Sequence, residues 1–245
     1  MKTEERIQYI IDWIKHYCNS IKYQPATLVI GVSGGVDSAV TSTLSAKTGL
    51  KTIAVSMPIK QNHEQHELSI KHLEWLKSNF NNVCTKVISL DNVFSSFKET
   101  MYDFKNNLAF ANSRSRLRMA TLYQIAQSNN GLVVGTGNKV EDFGVGFYTK
   151  YGDGGVDISP IADCNKTDVW ELGKELGVLE DIINAAPTDG LWDDGRTDEG
   201  QLGLSYKELE EAMNNENSVN REKYNSIRNA NLHKMEPIPV CKIPN

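Results

Sequence analysis

A six-residue string, Ser33-Gly34-Gly35-Val36-Asp37-Ser38, places two hydroxyls, two adjacent glycines and one carboxylate within a single turn of chain. The glycines let backbone N–H groups approach an anion closely, Ser33 and Ser38 add donors, and a helix beginning just after them would aim its positive end at the same point. That combination is a phosphate cradle. Asp37 is the unusual member, because a carboxylate beside a phosphate is repelled unless a cation lies between them, and Mg²⁺ bridging Asp37 to phosphate oxygens resolves the conflict. The plainer alternative is that Asp37 only complements the helix dipole in the first turn, worth about 0.3–1 kcal/mol. Two other nucleotide sites are excluded by spacing: the chain has no G-x-x-x-x-G-K-[ST] and no G-x-G-x-x-G.

The elements around this turn follow from hydrophobic pattern. Ala26 to Val32 is a continuous apolar run rich in β-branched residues, as expected of a strand buried on both faces, and Val36 to Thr48 is helical up to Gly49. The rhythm repeats as a strand at 52–57, a helix at 62–79 and a strand at 85–90, then as a helix at 113–128 and a strand at 132–135. Ile7, Ile10, Ile11 and Ile14 mark an amphipathic N-terminal helix over 3–18, and Asn165 with Asp168 caps another that closes at Gly177. This alternation predicts an α/β fold with a doubly wound, mostly parallel, Rossmann-like sheet and helices on both faces. Residues 137–159 and 186–203 are glycine-rich and predicted to be long loops, and Ser205 with Glu208 opens a last helical region that reaches about Leu232 with a break near Asn214-Asn215.

Composition narrows the partners. With a net charge of −5 the chain lacks the broad positive field that phosphate-backbone binding needs, so nucleic acid is not expected. Four cysteines without a C-x-x-C pair argue against a zinc or redox motif. No apolar h-region and no stretch of 18 apolar residues occurs, so the expectation is a cytoplasmic protein without membrane contact. With no internal repeat or linker, residues 1–245 are expected to form one domain.

The string S-G-G-x-D-S resembles that of the ATP pyrophosphatases, the adenine nucleotide alpha-hydrolase-like group that cleaves ATP between its α and β phosphates. Further strings are similar to NAD synthetases: Asn112 to Met119, Gly135 to Glu141, Thr149 to Asp157, Thr197 to Gly203 and His233-Lys234. The resemblance implies that Asp37 and Glu141 hold Mg²⁺ and that Gly31, Val32, Ser33, Gly34, Gly35, Val36, Asp37, Ser38, Met57, Gln61, Thr136, Lys166 and Thr188 bind ATP. It assigns Arg116, Lys150, Asp157, His233 and Lys234 to deamido-NAD. Lys166 opens the helix capped by Asn165, a poor place for a cation unless an anion lies nearby. After the second strand many family members carry an arginine followed by a leucine and a proline where this chain has Ser56-Met57-Pro58, which puts an adenine contact in doubt. Of three arginines on the 113–128 helix, Arg114 and Arg118 share a face, while Arg116 points about 200° away from Arg114.

The implied activity is an ammonia-dependent NAD synthetase with Mg²⁺ as cofactor and ATP as co-substrate. The nicotinate carboxylate of deamido-NAD is adenylylated, and ammonia then displaces AMP. Asp37 and Lys166 are the expected catalytic residues, and Asp153 either orients or deprotonates ammonium or is a plain turn aspartate. Only 32 residues precede the phosphate motif, so no glutaminase domain is expected, and the family implies a homodimer. The rival readings are a tRNA-modifying member of the same group and a nucleotide sensor without activity.

Overall fold

The computed structural model describes residues 1–192 and 195–244. Four strands, β1 (Thr27–Gly31), β2 (Lys51–Ser56), β3 (Val83–Val87) and β4 (Gly131–Val133), form a parallel sheet in the order β3-β2-β1-β4. Register runs through Val29 opposite Ile53 and Val133, so β1 is paired on both edges. Its Leu28, Val29 and Ile30 are fully buried, which is why it is spelled as an unbroken apolar run rather than an alternating one.

The helices are α1 (Thr3–Ser20), α2 (Val36–Lys47), α3 (His63–Asn79), α4 (Asp91–Thr100), α5 (Asn107–Ser128), α6 (Lys166–Glu175), α7 (Glu180–Ile183), α8 (Asp198–Leu202), α9 (Tyr206–Asn214) and α10 (Arg221–Met235). Alternation along the strands sorts them between two faces. Leu28, Ile30, Ala54 and Leu132 face a core completed by Ile14 of α1, Leu44 of α2, Leu76 of α3 and Leu172 of α6. Val29, Ile53, Val55 and Val133 face the opposite core, completed by Phe94 of α4 and by Met119 and Leu122 of α5. The chain crosses from the first face to the second between β3 and β4, so strand order reverses beside β1. A crevice at the carboxyl ends of β1 and β4 is the consequence, and it is where such sheets bind ligands.

The doubly wound expectation stands, and several local boundaries differ from it. β3 begins at Val83 rather than 85, because it is an exposed edge strand without the apolar run that marks its neighbours, and Asn82 sets its start by donating to the carbonyls of Ala46 and Leu50. The chain beyond it stays extended, with Ile88 and Leu90 donating to Ser56 and Pro58. α4 was not anticipated, and α5 begins six residues early, at Asn107, where the Asn106 side chain accepts from Ala109 N.

The two glycine-rich segments hold short helices. Lys139–Val145 is a π-helical turn whose carbonyls are claimed by α10: Arg228 donates to Phe143 and Gly144, and Asn231 to Val145. α8 follows an N-cap at Thr197, while Asp193 and Asp194 of that loop lie outside the described residues. The π-helical turn and α8 to α10 share a third apolar cluster built on Val140, Leu209 and Tyr224. Among the described residues no helix is long and apolar enough to cross a membrane.

Candidate active site

The turn after β1 is pre-bonded. Ser38 Oγ lies 3.1 Å from Ser33 Oγ and donates to Gly35 O at 2.9 Å, and Gly35 N donates to Ser33 Oγ at 3.2 Å. Gly34 has φ +95°, and a Cβ there would lie 2.5 Å from the Gln65 carbonyl, so backbone conformation and space both demand glycine. The turn leads directly into α2, which carries Asp37 in its first turn.

Three elements distant in sequence meet at Asp37. Lys166, the first residue of α6, reaches Asp37 Oδ2 at 2.5 Å and Glu141 Oε1 at 2.9 Å. Asn138 donates to Asp37 Oδ1 at 3.0 Å and accepts from the backbone of Val140 and Glu141, so one side chain fixes both the first carboxylate and the turn carrying the second. Tyr206 OH donates to Glu141 Oε1 at 2.6 Å and sits 3.1 Å from Asp198 Oδ2. Lys166 also lies 4.8 Å from the centre of the Tyr206 ring. Its side chain is 2% exposed, and although burial pulls its pKa down, the two carboxylates outweigh that and raise it. The ammonium therefore stays charged. Burial, reinforced by Glu141, pushes Asp198 up to about 7. Since Tyr206 has one hydroxyl proton and two close acceptors, a neutral Asp198 that donates to Tyr206 completes the chain of bonds.

α6 is held in place at its N-terminus. Asp168 accepts from Asn165 N and pairs with Arg6 of α1 at 2.6 Å, and Glu210 of α9 accepts from both the backbone N–H and the hydroxyl of Thr167. The capping pattern read from sequence is present.

The cleft above these groups is lined by Gly31, Val32, Ser33, Gly35, Val36, Ser38, Met57, Gln61, Thr136 and Thr188, so nearly every residue expected to bind ATP borders one space, with Gly34 packed behind the turn. Met57 and Leu122 close its apolar end against Gly31. The Thr188 hydroxyl is buried without a partner among the described residues. Asp153 borders the cleft too, accepting from Ser115 Oγ at 2.6 Å and from Thr149 N at 3.0 Å. It keeps an open edge, yet desolvation by the surrounding protein raises its pKa against the pull of those donors.

The residues expected to hold the second substrate divide into two groups. Arg116 donates to Lys150 O, Lys150 to His233 O and Lys234 to Tyr148 O, which gathers a basic rim beside the cleft. Asp157 stands apart, accepting from Tyr123 OH at 3.0 Å and Val133 N at 2.7 Å, where it fastens the end of β4. Pattern reading overlooked Asn138, Tyr206 and Asp198. It also undervalued Arg114 and Arg118, whose side chains point inward while Arg116 is exposed. Their signal was available: Ala111, Arg114, Ser115, Met119 and Leu122 form a buried stripe at helical spacing, and Arg118 lies four residues from Arg114 beside it.

Two carboxylates whose oxygens already converge on one cation fit the protein's usual share of a Mg²⁺ shell, phosphate oxygens and water supplying the rest. Among the described residues no group of three or more acidic, histidine or cysteine side chains forms a self-sufficient metal cage. The arrangement suits a metal that arrives with a nucleotide.

Comparison with known proteins assigns the chain to a family. The family model described as NAD synthase matches residues 6–241. The NH(3)-dependent NAD(+) synthetase of Carboxydothermus hydrogenoformans is 40% identical, the match covering 84% of each chain. That of Mesoplasma florum is 37% identical over 96% of this chain and 93% of its own. The solved structure of an NMN synthetase from Francisella tularensis is 33% identical, with a TM-score of 0.90 over 99% of this chain and all of its own. A family-model match over residues 6–241 and relatives 37–40% identical along most of both chains place this chain in the NAD synthase family.

Proposed function

We propose that the chain is an ammonia-dependent NAD synthetase, which converts deamido-NAD, ATP and ammonia to NAD, AMP and pyrophosphate. The observation that carries the reading is Lys166 bridging Asp37 and Glu141 at the mouth of the Ser33–Ser38 turn. A buried cation and two half-buried acids at a phosphate cradle suit the transfer of an adenylyl group with departure of pyrophosphate.

In the first step a nicotinate carboxylate oxygen forms a bond to the α-phosphorus while the bond to the β-phosphate bridging oxygen breaks. The cradle N–H groups and the Lys166 ammonium face the leaving pyrophosphate and stabilise its charge. Asp37 and Glu141 would hold Mg²⁺, which neutralises phosphate charge when bound. In the second step nitrogen attacks the activated carbonyl carbon and the bond to AMP breaks. Ammonium must first lose a proton, and Asp153, with its raised pKa and its place on the cleft, is the proposed acceptor. The rim of Arg116, Lys150, His233 and Lys234 is proposed to bind the substrate's phosphates, with Asp157 setting the β4 end behind it. The protein is further proposed to act in the cytoplasm as a one-domain homodimer that takes ammonia directly.

The likeness to an NMN synthetase supports a second substrate, nicotinate mononucleotide, which has the same carboxylate. Purified protein is to be given ATP, Mg²⁺ and ammonium with either nucleotide. AMP and NAD formed in equal amounts from deamido-NAD, with a loss on the order of 10²-fold in Asp37→Asn, is the expected result. Preference for the mononucleotide by tenfold or more in kcat/KM would move the assignment to the second substrate. Formation of ADP instead of AMP would overturn the adenylylation mechanism.

A further inference from the structure

Arg118 is a half-buried cation with no anion bound to it among the described residues. Its Nε donates to Met57 O at 3.0 Å, its Nη2 is buried without a hydrogen-bond partner, and it forms no ion pair with any described residue. Desolvation, helped by the neighbouring Arg114 charge, lowers its pKa to about 10, so it remains charged at neutral pH. Asp153 and Asp189 are the nearest acids, and both are committed elsewhere, Asp153 to Ser115 and Thr149 N, Asp189 to Leu191 N and Gln201. A guanidinium presents five N–H donors, and a neutral carbonyl takes one of them. Keeping such a charge out of water is costly unless an anion arrives to share its bonds.

The position supplies the anion. Arg118 borders the same cleft as the phosphate turn, where it holds the Met57 carbonyl and has Asp153 as an electrostatic neighbour. Among the described residues Lys166 is the other cation lining that space, and it is taken up by Asp37 and Glu141. Resting on the proposed adenylyl transfer, we infer that the free donors of Arg118 bind an anionic oxygen at the reacting centre, either a non-bridging α-phosphate oxygen or the nicotinate carboxylate. Both groups are negative and must approach each other, so a cation between them removes the repulsion that would hold them apart. The bond to Met57 O fixes the plane of the guanidinium. Residue 57 thereby contributes its backbone to orienting Arg118, whatever its side chain contacts.

Arg118→Met and Arg118→Lys separate charge from shape. Binding of α,β-methylene-ATP alone, binding of deamido-NAD alone, and turnover with and without added guanidinium ion are to be measured for each. Arg118→Met should lose about 10²-fold in kcat and regain part of it with guanidinium. A tenfold loss in analogue affinity identifies the phosphate as the bound anion, and a tenfold loss in deamido-NAD affinity identifies the carboxylate. Arg118→Lys should keep more activity than Arg118→Met. The inference is overturned if turnover and both affinities stay within twofold, or if the two variants lose equally and guanidinium restores nothing, as a purely structural bond to Met57 would give. Were wild-type protein to make no AMP at all, the adenylyl-transfer reading would fail, and the analogue-binding arm would still report on Arg118.

Discussion

The phosphate end of the cleft and its basic rim hold their charged groups by opposite means. At the phosphate end Lys166, Asp37, Glu141, Tyr206 and Asp198 bond to one another through side chains, and Lys166 and Tyr206 are each 1% exposed. At the rim Arg116 and Lys150 are tied to backbone carbonyls, and Arg116 and His233 stand open to solvent. Charges locked together in a dry interior cannot rearrange cheaply. Charges hung on carbonyls can leave them for a stronger acceptor such as a phosphate. The first region is built to be ready before its ligand arrives, the second to be ordered by it.

Lys166→Met should have the largest effect. It strands two half-buried carboxylates, and breaking a fully buried ionic group from one side costs about 3–5 kcal/mol, which sets the upper end of the loss. Urea unfolding at pH 7 should register that loss, activity should vanish, and added Mg²⁺ should return part of the stability by taking the ammonium's place. A variant as stable as wild type would remove the claim that this end is preorganised around a cation.

What was legible in the sequence follows the same division. β1, α2 and the Ser33–Ser38 turn are local objects whose burial, capping and glycine positions are all written within about 20 consecutive residues, and they appear where pattern puts them. α6 was legible for the same reason, since Asn165 and Asp168 cap it from within. Asn138, Tyr206 and Asp198 were not, because their roles exist only once the Lys139–Val145 turn and α9 dock against α6, and no periodicity encodes a contact made across 65 residues. The arginines of α5 were ranked wrongly since arginine is exposed by default, and only the buried stripe on either side of Arg114 and Arg118 contradicts that default.

Gly34→Ala probes the cradle without touching a charge. A Cβ at φ +95° that meets Gln65 O at 2.5 Å must displace backbone, for about 1–3 kcal/mol of lost stability. Thermal melting is the check, and an unchanged midpoint would mean that the turn is softer than its bonds imply. Asp198→Asn shows its effect only against pH. An unfolded aspartate releases its proton near pH 4, whereas Asp198 holds on until about 7. Between those values the folded chain binds more protons, so its stability falls as pH rises, and above pH 7 the penalty is fully present. Replacing the acid with an amide should flatten that slope by up to about 1.4 kcal/mol per pH unit, measured by denaturant unfolding from pH 4 to 8.

Lys150→Met should disturb the fold least and therefore isolates what the rim is for. The side chain gives up one bond to the His233 carbonyl, which water can replace, so stability should move by no more than about 0.5 kcal/mol. The ligand cannot make the same exchange. If the rim is ordered by substrate phosphates, removing one cation should raise KM for the nicotinate nucleotide by about tenfold, roughly one charge-assisted hydrogen bond, while kcat and KM for ATP stay near wild type. Raising ionic strength should mimic the substitution in wild-type protein, since exposed charges are screened over about 10 Å at 0.1 M salt, and it should leave the buried Lys166 network untouched. Equal salt sensitivity in the two KM values would erase the distinction between the two ends of the cleft.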